Sequence, residues 1–185
     1  YLKAEMIYPD SLWTLRRIAS CYRTLKKPEA ALEYYLRIEQ MKPDNLSVEM
    51  NIGHCYFEQE NYDEALKYYF KVDYLDPKST KAWRAIAWCS FLAGKQEQAR
   101  RYYEKILNNK PTPIDYMNAG HIEFVLKNLN KTVELYRKSI ENDKGNKESF
   151  LNNFKQDIKY LIQAGISAND IPLLIDQLMY SLESV

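Results

Sequence analysis

A spacing of 34 residues recurs along this chain in three different residue types. Tyrosine pairs occur at 34–35, 68–69 and 102–103, prolines at 9, 43, 77 and 111, and cysteines at 21, 55 and 89. Because three residue types keep the same period, the spacing indicates an internal repeat rather than coincidence. A repeat of this length restricts the chain to architectures built by stacking one small structural unit on the next.

Each repeat carries apolar residues at helical spacing, interrupted near its middle. Taking the unit from Leu12 gives repeats 12–45, 46–79 and 80–113. In the second repeat, apolar residues three or four apart lie on both sides of a polar stretch at 58–61. This pattern predicts two amphipathic helices of about 14 residues joined by a short turn. The proline that closes each repeat ends the second helix, because proline has no N–H to donate.

The repeat resembles the tetratricopeptide repeat, whose consensus has small residues at positions 8 and 20, an aromatic residue at 24 and an aliphatic residue at 27. The matching residues are Ala19, Gly53 and Ala87 at position 8, Ala31, Ala65 and Ala99 at position 20, Tyr35, Tyr69 and Tyr103 at position 24, and Ile38, Val72 and Ile106 at position 27. Small residues let helix backbones approach closely, and the ring fills the space beside them. The resemblance implies an all-α, right-handed superhelical solenoid of helix–turn–helix repeats.

The resemblance extends toward both ends of the sequence. Residues 1–11 fit the second half of a truncated preceding repeat, so we expect the sequence to be a fragment of a longer chain. Residues 113–146 fit a fourth, degenerate repeat, in which Thr132 and Ser139 replace the alanine and the aliphatic residue of the other units. Residues 147–185 lose the repeat but keep apolar stripes at helical spacing. This segment is predicted to form a helix pair that caps the solenoid, with a separate partner-binding hairpin as the alternative.

Composition excludes several classes of protein. With 46% hydrophobic residues and a net charge of +1, the 185-residue chain is too apolar for a disordered protein and too neutral for general affinity to nucleic acid. No apolar run is long enough to predict a membrane span.

Cys21, Cys55 and Cys89 all occupy position 10, where stacked helices hold them about 8–10 Å apart, so we expect buried packing residues rather than a disulfide or a metal site. Three free thiols favour a reducing compartment such as the cytoplasm.

The sequence predicts no catalytic, metal-binding or cofactor-binding residues. His54 and His121 both occupy position 9, two repeats apart, and stacking separates them by about 20 Å. No nucleophile or acidic residue stands at a spacing that would activate either histidine. The five glycines are scattered, so the sequence contains no glycine-rich phosphate loop.

In tetratricopeptide repeat proteins the first helix of each repeat lines a concave groove, and the resemblance carries that role onto defined positions of this chain. The candidate partner-binding residues are Trp13, Arg16, Arg17, Ser20, Met50, Asn51, His54, Lys81, Arg84, Trp88, Met117, Asn118 and His121. The full set of groove positions carries five basic residues and one acidic residue. It also includes Phe57, Phe91 and Phe124, which either face the groove or pack between helices.

These residues predict a non-catalytic interaction module or scaffold that binds a peptide or partner helix with acidic and apolar side chains. One alternative is the docking arm of a larger enzyme whose catalytic domain lies outside this sequence. A cochaperone with a carboxylate clamp is a second: Arg16, Asn51 and Lys81 suit such a clamp, whereas Ser20 and Ala85 do not. A helical-repeat RNA binder is a third, but the basic surface does not extend along the whole groove, so no nucleic acid partner is expected.

Overall fold

A computed structural model describes residues 1–183, so the last two residues of the predicted 147–185 cap lie outside the described residues. The described residues form eleven helices and no strand, which confirms the all-α prediction. The helices are α1 (Leu2–Ile7), α2 (Leu12–Thr24), α3 (Pro28–Met41), α4 (Leu46–Glu58), α5 (Tyr62–Leu75), α6 (Thr80–Leu92), α7 (Gln96–Leu107), α8 (Pro113–Val125), α9 (Leu129–Asn142), α10 (Lys147–Gln163) and α11 (Asp170–Glu183). From α2 to α9 each helix contains 12 to 14 residues.

Short turns join the two helices of each pair from α2 to α9. One residue in each turn has a positive φ: Lys26 (53°), Glu60 (58°), Gly94 (72°) and Lys127 (62°). This left-handed backbone costs a residue that has a Cβ about 1–2 kcal/mol, whereas glycine adopts it freely. Glycine therefore suits the left-handed backbone of the third turn. In the other three turns a lysine or a glutamate adopts this backbone at an energetic cost.

Two compact units divide the chain, Tyr1–Cys89 and Ser90–Val185. In the first unit α3 packs against α2 and α4, and α4 packs against α5. The core of these helices contains Leu15, Ala19, Ala31, Tyr35, Ile38, Val48, Ile52 and Cys55. An ion cluster adds to this packing: Lys71 Nζ lies 2.7 Å from the fully buried carboxylate of Glu49 and 3.1 Å from that of Glu39.

In the second unit α8 packs against α7 and α9, and both α10 and α11 pack against α9. The apolar stripes of α10 and α11 bury Phe150, Phe154, Leu161, Leu174 and Leu178. The degenerate repeat buries its two polar substitutions as well. Thr132 Oγ1 donates to Asn128 O at 2.9 Å, and Ser139 Oγ donates to Pro113 O at 2.7 Å. Both hydroxyls are thus hydrogen-bonded, which removes most of the cost of burying them.

The three cysteines at position 10 differ in exposure. Cys55 and Cys89 are buried, as predicted, whereas the prediction is wrong for Cys21, which is exposed. Cys55 packs in a core made largely by α2 and α3, so this position faces the helix pair that precedes it. The helix before α2 is α1, which has six residues and none of them buried, and it leaves Cys21 uncovered.

Candidate functional site

Two cavities open in the first unit along α2, α4 and α6. The basic cavity, of about 450 Å³, is lined by Arg16, Arg17, Ser20, Arg23, Thr24, Tyr35 and Asn51. The aromatic cavity, of about 390 Å³, is lined by Met50, His54, Phe57, Tyr69, Lys81, Arg84, Ala85 and Trp88. Because α4 contributes residues to both, the two cavities adjoin.

Arginine side chains determine the charge of the basic cavity. Arg23 donates hydrogen bonds to Asn51 Oδ1 at 2.6 Å and to Glu58 Oε1 at 2.9 Å, so this guanidinium has a carboxylate partner. In the described part of the chain, neither Arg16 nor Arg17 forms an ion pair with a carboxylate. Two positive charges are therefore uncompensated, which favours an anionic ligand group.

A histidine and a tyrosine form a hydrogen bond in the wall of the aromatic cavity. Nδ1 of His54 lies 2.8 Å from the hydroxyl oxygen of Tyr69, and the ring centroids are 5.4 Å apart. A Cβ at Gly53 would lie 2.5 Å from Tyr69 Cε1, so this approach of the ring requires glycine. A neutral imidazole nitrogen is a better acceptor than a phenol oxygen. We therefore assign Tyr69 as the donor, which leaves the imidazole proton on Nε2.

Burial keeps this pair uncharged. Burial, helped by the positive charge of Arg23, lowers the pKa of His54 to about 4. Burial also raises the pKa of the Tyr69 hydroxyl. Both groups are neutral at pH 7, so the histidine offers the cavity a hydrogen-bond donor, and the positive charge in the lining comes from Lys81 and Arg84.

The second unit contains the same histidine–tyrosine hydrogen bond, but there another helix covers the pair. His121 Nδ1 lies 2.7 Å from the Tyr136 hydroxyl, and Gly120 again leaves room for the ring. Helix α10 covers this pair: the Phe154 ring centroid is 5.4 Å from that of His121, and Asp157 Oδ2 is 3.4 Å from His121 Nε2. His121 consequently has no solvent exposure.

This cover corrects the predicted groove in the fourth repeat. Met117 and His121, both predicted to bind a partner, are buried, and Asn118 is only partly exposed. Phe91 and Phe124 are buried too, so these two rings pack between helices and do not face the groove.

The other predicted residues, with one exception, line the two cavities. Arg16, Arg17, Ser20 and Asn51 line the basic cavity, and Met50, His54, Lys81, Arg84 and Trp88 line the aromatic cavity. The exception is Trp13, which is exposed and packs edge-on against the Tyr1 ring at a centroid distance of 5.6 Å.

Arg23 and Tyr69 line the cavities although the predicted set omits them. The sequence carries a signal for the tyrosine. A Gly–His dipeptide occurs at 53–54 and again at 120–121, and each histidine is followed by a tyrosine 15 residues later. Arg23 is one of the five basic residues at the groove positions that the resemblance implies, but its hydrogen bond to Asn51 on the next helix pair is seen only in the structure.

Comparison with protein families gives the class of protein. The family model for the tetratricopeptide repeat matches residues 22–89 and 56–119, which together span more than half of the chain. The chain belongs to the tetratricopeptide repeat family. Comparison with curated protein sequences finds no significant match.

Solved structures with this fold agree with the family. The crystal structure of MamA is 18% identical with a TM-score of 0.73, covering 78% of this chain and 85% of that one. MamA 41-end from Desulfovibrio magneticus RS-1 is 19% identical with a TM-score of 0.70, covering 95% and 97%. The thermophilic TPR protein TTC0263 from Thermus thermophilus is 15% identical with a TM-score of 0.65, covering 84% and 86%. At these identities the likeness establishes the fold, that of a tetratricopeptide repeat solenoid.

The family indicates a general function. Tetratricopeptide repeats are in general protein-interaction scaffolds. Among residues 1–183, no helix combines the length and the apolar character that crossing a bilayer requires.

Proposed function

We propose that this chain is a non-catalytic interaction module that binds a peptide or a partner helix along α2, α4 and α6. The observation that carries the proposal is the basic cavity adjoining the aromatic cavity on α4. A ligand with an acidic group for the first cavity and an apolar group for the second would satisfy both at once.

Charge in the two cavities supports an acidic ligand. Arg16 and Arg17 lack carboxylate partners in the basic cavity, as described above. Lys81 in the aromatic cavity is exposed, and within residues 1–183 it forms no ion pair. Exposed charges of one sign steer an oppositely charged partner and accelerate its association.

The lining of the aromatic cavity supports an apolar contact beside that charge. Met50, Phe57 and Trp88 are each only partly buried and line the same space. Large aromatic side chains in a concave site contribute most of the binding energy in protein interfaces. A ligand side chain such as leucine or phenylalanine would bury its surface here and gain about 1.5–3 kcal/mol.

A carboxylate clamp receives less support than this general groove. Asn51 already accepts a hydrogen bond from Arg23 and donates one to Ser47 O at 2.6 Å, so its amide is engaged within the chain. Ala85 lines the aromatic cavity with a methyl group that donates no hydrogen bond. The docking arm of a larger enzyme would use the same two cavities and therefore makes the same binding prediction.

A pair of charge reversals tests the proposal. Affinity purification would compare the wild-type chain with the variant Arg16→Glu/Lys81→Glu. The control variant Lys42→Glu/Lys78→Glu changes the net charge equally at exposed positions outside both cavities. Partners held by the groove should be retained by the wild type and the control and lost by the groove variant. If every bound protein survives the groove variant, the proposal is wrong.

A further inference from the structure

The positive charge of the basic cavity exceeds what one carboxylate would neutralise. Arg16, Arg17 and Arg23 line this cavity, and its lining contains no acidic residue from the described part of the chain. Glu58 compensates Arg23, because its Oε1 lies 2.9 Å from the Arg23 guanidinium. Arg16 and Arg17 form no ion pair within residues 1–183, so two positive charges face the cavity. A single aspartate or glutamate of a ligand would leave one of these charges unpaired.

The donors that carry this charge lie close together on α2. Arg17 donates to the Tyr1 hydroxyl at 3.2 Å, and its guanidinium lies 5.8 Å from the Trp13 ring centroid, so two aromatic side chains hold it beside the cavity. Ser20 is exposed and follows Arg16 by four residues, a spacing that places both on one face of the helix. The cavity is thus lined by two guanidinium groups and a hydroxyl within about one turn of α2.

The remaining polar groups of the cavity bond within the chain and fix its shape. Arg23 donates to Asn51 Oδ1 at 2.6 Å and so joins α2 to α4. The Thr24 hydroxyl donates to the backbone oxygen of Ser20 at 3.0 Å. A ligand therefore meets a wall that is already ordered, which lowers the entropic cost of binding.

We propose that the basic cavity binds a phosphorylated side chain of the partner peptide. This inference rests on the proposed function and specifies its acidic group. A phosphoryl group carries a charge of about −1.5 to −2 at pH 7 and three strong acceptor oxygens, which match the two unpaired arginines and the Ser20 hydroxyl. Guanidinium groups bind phosphate oxygens in a bidentate manner. The volume of about 450 Å³ is sufficient for such a group and the backbone that carries it.

Two adjacent carboxylates would supply the same charge, but they fit the cavity less well. Successive side chains of an extended peptide point to opposite faces, so a pair of neighbouring glutamates directs one carboxylate away from the cavity. A phosphoryl group places both charges on the oxygens of one group. Arg16, Arg17 and Ser20 lie close together on α2, so this concentrated charge suits them.

A set of fluorescent peptides tests the inference. The probe has a central phosphoserine and leucines at alternate positions on both sides, because alternate side chains share a face and a leucine then reaches the aromatic cavity. Matched peptides replace the phosphoserine with serine, with one glutamate or with two adjacent glutamates. Fluorescence anisotropy would measure their binding to the full chain and to Arg16→Gln and Arg17→Gln. The control Lys42→Gln removes one charge at an exposed position outside both cavities.

The phosphoserine peptide should bind about tenfold more tightly than each matched peptide. Arg16→Gln and Arg17→Gln should each weaken it about tenfold, and Lys42→Gln should leave its affinity unchanged. Lowering the pH from 7 to 5 should also weaken it about tenfold, because the phosphoryl group takes up its second proton with a pKa of about 6. The peptide with two glutamates keeps most of its charge at pH 5 and so controls for titration of the protein.

Several results would overturn the inference. These are no binding of the phosphoserine peptide up to about 1 mM, equal binding of the peptide with two glutamates, or an affinity that neither arginine substitution changes. Equal binding of inorganic phosphate or of a single-stranded RNA would also overturn it, because the cavity would then recognise phosphate without the peptide.

The affinity purification described above separates this inference from the proposed function. If the phosphoserine peptide fails while Arg16→Glu/Lys81→Glu still releases partners, this inference falls and the proposed function stands. If the charge reversal also releases nothing, both fall.

Discussion

Nδ1 of His54 lies 2.8 Å from the hydroxyl oxygen of Tyr69, and this contact depends on the residue before the histidine being glycine. In the first and third repeats the same position is alanine, Ala19 and Ala87, and the following residue is not histidine. The small residue that the repeat uses for helix packing thus has a second role in the two repeats where it is glycine. It brings a tyrosine hydroxyl within reach of a histidine.

Gly53→Ala should destabilise the protein even though alanine is the better helix former. The new Cβ would stand 2.5 Å from Tyr69 Cε1, so the buried ring must move and its bond to His54 breaks. Overpacking and the lost hydrogen bond cost about 2–4 kcal/mol together, against about 1 kcal/mol gained in helix propensity. Urea denaturation should show a net loss of about 1–3 kcal/mol.

The matched control for this substitution is the double variant Gly53→Ala/His54→Ser, which recreates the Ala–Ser pair of the first repeat at 19–20. Its cost should be smaller than the sum of the two single substitutions, because both disrupt one interaction. Strict additivity would show that the glycine and the histidine are independent.

Removing the tyrosine hydroxyl should cost more in the second unit than in the first. Tyr136→Phe leaves Nδ1 of a histidine with no solvent exposure unpaired, which costs about 1–3 kcal/mol. Tyr69→Phe leaves His54, which is partly exposed and regains water as a partner. Thermal unfolding of the two variants should rank Tyr136→Phe as the less stable, and the reverse order would contradict the difference in burial.

His54 should make the protein less stable in mild acid. Its pKa falls from about 6.5 in the unfolded chain to about 4 in the folded one, so the unfolded state binds more protons between these values. Stability is therefore fully present above pH 6.5 and is lost as the pH drops toward 4. Linkage gives a loss of about 2 kcal/mol between pH 7 and pH 5.

Comparison with His54→Asn isolates this effect, because other titrating groups contribute equally to both proteins. The free energy of unfolding of the wild type relative to the variant should decrease by about 2 kcal/mol over that pH range. A constant difference from pH 7 to pH 5 would mean that His54 keeps its ordinary pKa in the folded protein.

Replacing Lys71 should destabilise the protein far more than replacing its exposed neighbour Lys67. Burial raises the pKa of the Glu49 carboxyl and the hydrogen bond from Lys71 opposes that shift. Lys71→Met leaves Glu49 buried beside Glu39 without a cation, at a cost of about 3–5 kcal/mol. Adding Glu49→Gln should recover much of the loss. Lys67→Met on the same helix breaks an exposed pair and should cost less than about 1 kcal/mol in the same denaturation assay.

The turn residues offer a stabilising substitution. Glu60 has a φ of 58°, the conformation that Gly94 occupies in the next repeat. Glu60→Gly should raise the free energy of unfolding by about 1 kcal/mol by relieving this strain. Gly94→Ala should lower it by a similar amount, since its Cβ would meet no atom within 4 Å and only the backbone is strained. A destabilised Glu60→Gly would show that this side chain contributes more than the strain costs.

The apolar spacing within each repeat was enough to predict the helices, and the resemblance to the tetratricopeptide repeat implied that the ring at repeat position 24 packs beside the small residue at position 8. That contact is seen where Tyr69 lies against Gly53 and Tyr136 against Gly120. These features follow from residues that recur with the period, so each repeat reinforces the same interpretation.

The features that the sequence did not predict lie where the repeat ends. The burial of His121 depends on α10, which belongs to the segment without the repeat pattern, so no period relates Phe154 to the histidine it covers. The exposure of Cys21 depends on what packs against the start of the first repeat rather than on the repeat itself. Contacts between neighbouring repeats therefore could not be predicted from the sequence wherever one neighbour lacks the repeat pattern.

The unequal exposure of the three cysteines allows this chain to be labelled at a single thiol. Burial raises the pKa of the Cys55 thiol to about 12, and Cys89 is buried as well, so both are protected from alkylating reagents. Cys21 alone of the three is exposed, one residue after Ser20 of the basic cavity. A maleimide dye added to this chain would attach at Cys21 alone among the three thiols, so a single probe can be introduced without any engineered substitution.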